Sequence, residues 1–203
     1  YILAKAGLLT NRKATIHWEN LSGVREEFPD LVFTNNLYEI DKDRYSCSGG
    51  TSSLDLMLNI ISGMHGNNLA KSISDQLIHE RIRPPNDFQR MDLRSRLGVS
   101  HPKLLNAVSI MEENLEEPLS QKELASKANI SLRQLERLFK KYISNTPNQY
   151  YLKLRLERAQ NLLMQTSMSI LSVALASGFT SSSHFSKCYK VQFVVIFIIF
   201  LLF

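Results

Sequence analysis

The feature that constrains this chain most is an internal repeat. Leu124–Lys141 reads LASKANISLRQLERLFKK and Val173–Lys190 reads VALASGFTSSSHFSKCYK. Ala125 aligns with Ala174, Ala128 with Ser177 and Ile130 with Phe179 at an offset of 49. Ser131 then aligns with Ser181, Leu135 with Phe185, Phe139 with Tyr189 and Lys140 with Lys190 at an offset of 50, so the second copy has one more residue in its turn. Each copy predicts helix, short turn, helix, with a small residue where the helices must approach closely. That is the helix-turn-helix plan, in which the second helix of each copy enters a DNA groove.

Both second helices divide cleanly at about 100° per residue. In the first, Leu135, Leu138, Phe139 and Tyr142 form the inner face, while Arg133, Arg137 and Lys140 point away, flanked by Glu136 and Lys141. In the second, Phe185, Cys188 and Tyr189 point in, while Ser183, Ser186, Lys187 and Lys190 point out. Arg and Lys can pair with guanine O6 and N7, Glu can accept from cytosine N4, and serine hydroxyls serve bases or phosphates. The expected DNA contacts are therefore Ser131, Arg133, Glu136, Arg137, Lys140 and Lys141 in the first copy. In the second they are Ser181, Ser183, Ser186, Lys187 and Lys190.

Charge distribution agrees. Residues 1–98 carry 12 basic and 12 acidic residues, whereas residues 99–203 carry 12 and 7, so the whole net charge of +5 lies in the second half. Nine basic residues fall between 131 and 190, against Glu136 and Glu157. A cationic stretch of this kind suits a polyanion, double-stranded DNA above all. Thr146-Pro147 supplies an N-cap and a first-turn proline for the helix between the copies, which runs to about Gln165 and keeps Leu152, Leu156, Ala159 and Leu163 on one face. At 1.5 Å per residue it spans about 28 Å, near the ~34 Å of one DNA turn, so the two reading helices could lie in successive major grooves. Upstream, Lys103–Glu116 and Ser120–Ala128 are helices, the second opened by a Ser120/Glu123 capping box.

The first 81 residues have another character. Ala14–Trp18 and Leu31–Phe33 read as strands around a polar helix, Glu19–Glu27, and Leu37–Ile40 with Arg44–Cys47 reads as a hairpin. After the Ser48-Gly49-Gly50 turn, a helix is expected with a Ser52/Asp55 capping box and a buried stripe of Leu54, Met57, Leu58 and Ile61. A further helix is expected over about Asn68–Arg81, and Pro84-Pro85-Asn86-Asp87 opens a linker. The fold class is thus an α/β portion followed by an all-α domain with two helix-turn-helix motifs. The organisation is 1–81, a linker 82–101, the helical domain 102–190, and an apolar tail 191–203.

That tail, VQFVVIFIIFLLF, is too apolar for a solvated end and, at 13 residues, short of the ~20 needed to span a bilayer. The pattern predicts a chain that is a fragment at both ends, with an aggregation-prone run over Phe193–Phe203. Two cysteines 141 positions apart form no disulfide framework, and no signal peptide is seen, so a reducing, cytoplasmic compartment is expected. His79-Glu80 lacks a second His at the zinc-protease spacing, and Ser46–Gly50 begins with Ser where G-x-S-x-G needs Gly. No catalytic residue, metal site or cofactor is expected. Ser48, Gly49, Gly50 and Thr51 form a candidate binding loop ahead of a helix N-terminus, although a plain strand-to-helix turn fits the spacing slightly better.

RQLERLFKKY (133–142), YYLKLRLERAQNLL (150–163) and ASGFTSSSHFSKCYK (176–190) resemble the DNA-binding domain of AraC/XylS-type transcriptional regulators. The polar F-G-x-[ST]-P loop that follows in that family is replaced here by Val191–Phe203. AKAGLL (4–9), ATIHWE (14–19), FPD (28–30) and CSGGTSSLDLML (47–58) resemble the later part of a ThiJ/PfpI-like, class I glutamine amidotransferase-like domain. One branch of AraC-type activators, regulating glycine betaine, carnitine and arginine catabolism, carries such a domain as a sensor. The resemblance implies a small-molecule effector, an amine or quaternary ammonium metabolite, with His17, Trp18 and the Ser48–Thr51 loop as contacts. It also places His17 where the enzymatic relatives have their catalytic histidine. A homodimer is a further possibility. An amidotransferase- or hydrolase-like enzyme with an appended DNA-binding domain, and a membrane-tethered regulator, remain as alternatives.

Overall fold

The computed structural model describes residues 1–200, with side chains as far as Phe193; the rest of the apolar tail lies outside the described side chains. The chain divides into two units, Tyr1–Met91 and Asp92–Phe203.

The first unit runs α1 (Ile2–Lys5), β1 (Lys13–Thr15), α2 (Trp18–Glu27), β2 (Val32–Thr34), β3 (Tyr38–Asp41), β4 (Arg44–Cys47), α3 (Ser52–His65) and α4 (Asn67–Gln76). β1 and β2 are parallel, with Ala14 opposite Phe33, and α2 makes the crossover between them. β3 and β4 form the expected hairpin, Tyr38 opposite Cys47. Ala4, Leu9, Ala14, Leu21, Val24 and Phe33 make one small core, and Leu37, Tyr38 and Leu56 another.

Two expectations fail on α3. Its N-cap is Thr51, without a side-chain cap bond, and Ser52 instead donates to the Gly49 carbonyl at 2.6 Å. Asp55 cannot complete a capping box because it is fully buried and bonded to His79 and Arg83. Satisfying that carboxylate turns the helix: Ser52, Asp55, Leu56 and Leu58 face inward, whereas Met57 is 52% exposed and Leu54 and Ile61 are half-buried. α4 ends at Gln76, five residues early, at a turn with Ile78 in the left-handed region (φ 55°).

Residues 82–101 are not a free linker. Leu37 N–H donates to the Pro85 carbonyl at 2.8 Å, the Tyr38 hydroxyl donates to the Arg83 carbonyl at 3.3 Å, and the Gln89 side chain bonds back to the ends of the strands. Residues 93–97 are helical, capped by the Asp92 carboxylate, which accepts from Ser95 N–H at 2.8 Å.

The second unit is all helical: α5 (Leu93–Leu97), α6 (Pro102–Glu113), α7 (Gln121–Lys127), α8 (Leu132–Tyr142), α9 (Pro147–Gln165), α10 (Ile170–Ala176) and α11 (Ser182–Phe200). The Ser120/Glu123 capping box forms, and Thr146 makes a second one with Gln149. Two cores result. Leu104, Val108, Met111, Leu124, Leu135 and Phe139 anchor the first; Leu156, Leu162, Val173, Phe179 and Phe185 anchor the second. α9 serves both, giving Tyr151 to one and Leu156, Ala159 and Leu162 to the other. Leu162 rather than Leu163 joins Leu156 and Ala159 as a fully buried position of α9, and Tyr142, expected inside, is 37% exposed. Among the described residues no helix is long and apolar enough to cross a membrane.

Candidate nucleic-acid interface

The repeat seen in the sequence is a repeat in space. In the first copy Asn129 stands in the left-handed region (φ 56°); its partner Gly178 has φ 78°. Ile130 N–H donates to the Ala125 carbonyl at 3.0 Å, and Phe179 N–H donates to the Ala174 carbonyl at 2.9 Å. The second helix of each copy is then capped by a serine: Ser131 accepts from Gln134 N–H at 3.2 Å, and Ser181 from His184 N–H at 3.4 Å. Ser131 and Ser181, expected as DNA contacts, thus use an oxygen lone pair locally, and their hydroxyl hydrogens are what they can offer a phosphate.

α8 buries Leu135, Leu138 and Phe139 and exposes Arg133, Glu136, Arg137, Lys140 and Lys141. A cleft of about 360 Å³ is lined by Ser131, Arg133, Gln134 and Arg137. On α11, Phe185 is buried, Ser183, Lys187 and Lys190 are exposed, and Ser186 is half-buried. Arg133, Arg137, Lys140, Lys187 and Lys190 make no ion pair among the described residues. The cations of α9 differ. Lys153 pairs with Glu157 at 3.7 Å and Arg158 with Glu116 at 3.6 Å. Arg155 donates to the carbonyls of Ser177 and Gly178 and lies over the Phe179 ring at 4.2 Å. Burial pushes Arg155 below the ordinary guanidinium value, the Tyr151 and Cys188 side chains opposing. Three of the nine basic residues counted in the sequence are therefore engaged within the fold, and the unpaired ones lie on the two reading helices.

Two polar groups here escaped the sequence reading. Gln134 lines the same cleft as Arg137, one turn earlier, and a Gln amide can pair with adenine. His184 is exposed on α11 with Nε2 3.3 Å from Cys188 Sγ, so Cys188 is a half-buried flank rather than a pure core residue.

Residues 124–195 match the family described as "Helix-turn-helix domain". "HTH-type transcriptional regulator GbdR" of Pseudomonas aeruginosa is 50% identical over 95% of this chain and 53% of its own length. "HTH-type transcriptional regulator ArgR" of the same organism is 49% identical over 94% of this chain and 58% of its own. The second unit carries an AraC-type helix-turn-helix domain. A solved AraC-type regulator from Chromobacterium violaceum is 55% identical, covering 45% of this chain and 82% of its own, with a TM-score of 0.44. The chain spans about half the length of the curated relatives it matches.

The residues expected to meet an effector lie in the first unit, outside the AraC-type domain. The His17 ring caps α2, its Nδ1 accepting from Glu19 N–H at 3.4 Å. Trp18 is half-buried, and the Arg90 guanidinium lies over its ring, 3.8 Å from the centroid. Ser48 is buried and donates to Ser52, and the Thr51 hydroxyl accepts from Arg83. Gly49 and Gly50 take φ of 90° and 57°. No hydrogen bond or ring contact among the described residues joins His17 or Trp18 to the Ser48–Thr51 loop. Of the loop's polar side chains, Thr51 is turned to Arg83, and an anion at this helix start would meet the Asp55 carboxylate in the first turn.

Proposed function

We propose that the chain is part of a transcription activator of the AraC family that binds double-stranded DNA through α8 and α11 and responds to a small amine or quaternary ammonium metabolite through its first unit. One observation carries the DNA reading: two helix-turn-helix copies with the same turn bonds and serine caps, joined by one capped helix, present unpaired cations on the outward faces of both second helices. Arg133, Gln134 and Arg137 would read bases in one major groove, Ser183, Ser186 and Lys187 in the next, with Ser131, Lys140, Lys141, Ser181 and Lys190 toward phosphates and Glu136 toward cytosine. We read the first unit as the later part of a ThiJ/PfpI-like sensor, on the β1–α2–β2 crossover and the hairpin-to-helix turn at Ser48–Thr51. In this reading the protein works in the cytoplasm, the sensor performs no catalysis, and dimerisation accompanies binding to paired sites. Footprinting on the promoters flanking the gene tests it. Two protected stretches one helical turn apart are expected; protection that ignores sequence would overturn it.

A further inference from the structure

The last stretch of the first unit ends in two side chains that fill a ligand-like position. β1 and β2 are parallel, and their carboxyl ends are Thr15 and Thr34. The crevice beyond the carboxyl ends of parallel strands is where open α/β sheets hold their ligands. Here the Gln89 amide occupies it: Nε2 lies 3.2 Å from Thr15 Oγ1, 3.2 Å from the Ile16 carbonyl and 2.7 Å from the Asn36 carbonyl. Beside it Arg90 covers the Trp18 ring. Together these are a cation on an aromatic face next to N–H donors aimed at carbonyl oxygens.

We propose that Gln89 and Arg90 are a built-in stand-in for the effector, which displaces them by placing its own cation on Trp18 and its own N–H donors on the Ile16 and Asn36 carbonyls. This rests on the effector reading above and narrows it to cations that carry N–H donors, a guanidinium or primary ammonium compound. The occupant is an imperfect fit. Gln89 Oε1 is buried with no hydrogen-bond partner, a cost the effector would relieve by displacing it. Chain continuity gives displacement a consequence: Met91 is followed directly by Asp92, the residue that caps α5 of the second unit.

Calorimetry with L-arginine on the full chain tests this. Removing an internal competitor raises apparent affinity, because the binding-competent state becomes more populated. Gln89→Ala/Arg90→Ala should bind L-arginine at least tenfold more tightly than the wild type, and Arg90→Lys, which keeps a cation on Trp18, should return toward the wild-type midpoint. Trp18 is the sole tryptophan, so its emission reports whether Arg90→Ala has uncovered the ring before ligand is added. Equal midpoints for wild type and double variant would overturn the stand-in while leaving the effector reading intact. No heat from any of the proteins would overturn both the site and its ligand class.

Discussion

Arg155 Nη2 donates to the Gly178 carbonyl at 2.7 Å, joining α9 to the turn that launches the second reading helix. Nε donates in the same way to Ser177 at 3.0 Å, and the guanidinium plane covers Phe179. Leu156, Ala159 and Leu162 of α9 already pack against the second motif, and these bonds fix its turn to the same helix. Arg155→Ala should cost about 3 kcal/mol, since two carbonyls lose a charged donor and a cation–π contact goes with them. Urea unfolding of the second unit would measure it. In DNA binding the loss should fall on the half-site read by α11, with the α8 half-site little changed; equal loss at both would mean Arg155 does not orient α11.

Gly178 also meets the loop between α6 and α7. A Cβ there would lie 2.6 Å from the Leu115 carbonyl oxygen and 2.8 Å from Pro118 Cδ, and φ is 78°. The same loop is held from α9 by Tyr151, whose hydroxyl donates to the Asn114 carbonyl and accepts from Leu119 N–H. Gly178→Ala combines left-handed strain with a clash against backbone, and should destabilise the second unit by about 2–4 kcal/mol. Asn129, its counterpart, should tolerate replacement by Gly with a change within about 0.5 kcal/mol, as judged by thermal unfolding.

Asp55 makes the first unit acid-sensitive. Burial pushes its carboxyl up, but the Arg83 N–H, His79 and the Arg83 guanidinium outweigh burial and hold it below the usual carboxylate value. A folded-state value below the unfolded 3.8 stabilises the fold above the unfolded value, and that stability is lost as pH falls through the folded one. Asp55→Asn should remove about 3 kcal/mol or more at neutral pH by removing the buried charge that pairs with Arg83 and replacing one of the two accepting oxygens by an NH2 donor. It should also flatten the acid limb of the stability curve below about pH 4. Chemical denaturation across pH 3–7 separates the two effects; an unchanged acid limb would show that Asp55 is not the group responsible.

What the sequence made legible was whatever repeats or recurs locally. The helix starts at Ser120, Ser131, Thr146 and Ser169 all stand where their residue types put them, because a cap is decided within four positions. The paired copies were legible because the same packing positions recur, Ala125 with Ala174, Leu135 with Phe185 and Phe139 with Tyr189. Asp55, Arg83, Gln89 and Arg155 act on partners far along the chain, and a single side chain bonding a distant carbonyl or carboxylate leaves no period to detect. Arg83 and Gln89 were hidden further by their neighbours: Pro84-Pro85 signals a break in regular structure, and an irregular segment can still be bound tightly by backbone carbonyls such as that of Pro85. Charge counting failed for a related reason. Lys153, Arg155 and Arg158 look like DNA ligands in a tally, but each has a partner within the fold.

The cations left over divide by position along α8. Arg137 lines the cleft with Ser131, Arg133 and Gln134 at the start of the helix, where base edges would be met. Lys141 stands in the last turn, its Nζ 4.9 Å from the Tyr142 ring, better placed for the backbone beside the groove. In a protein with its partner regions complete, Arg137→Ala should weaken operator binding by about 1–3 kcal/mol and relax preference at one or two base pairs. Lys141→Ala should weaken binding to all sequences alike and reduce the slope of log K against log salt by about one unit. Lys187→Ala should act on the other half-site, about one helical turn away. Gel-shift titrations at several salt concentrations, on intact and half-site-scrambled operators, distinguish these three effects. If Arg137→Ala left both affinity and base preference unchanged, the outward face of α8 would be a solvated surface and DNA would have to be read elsewhere.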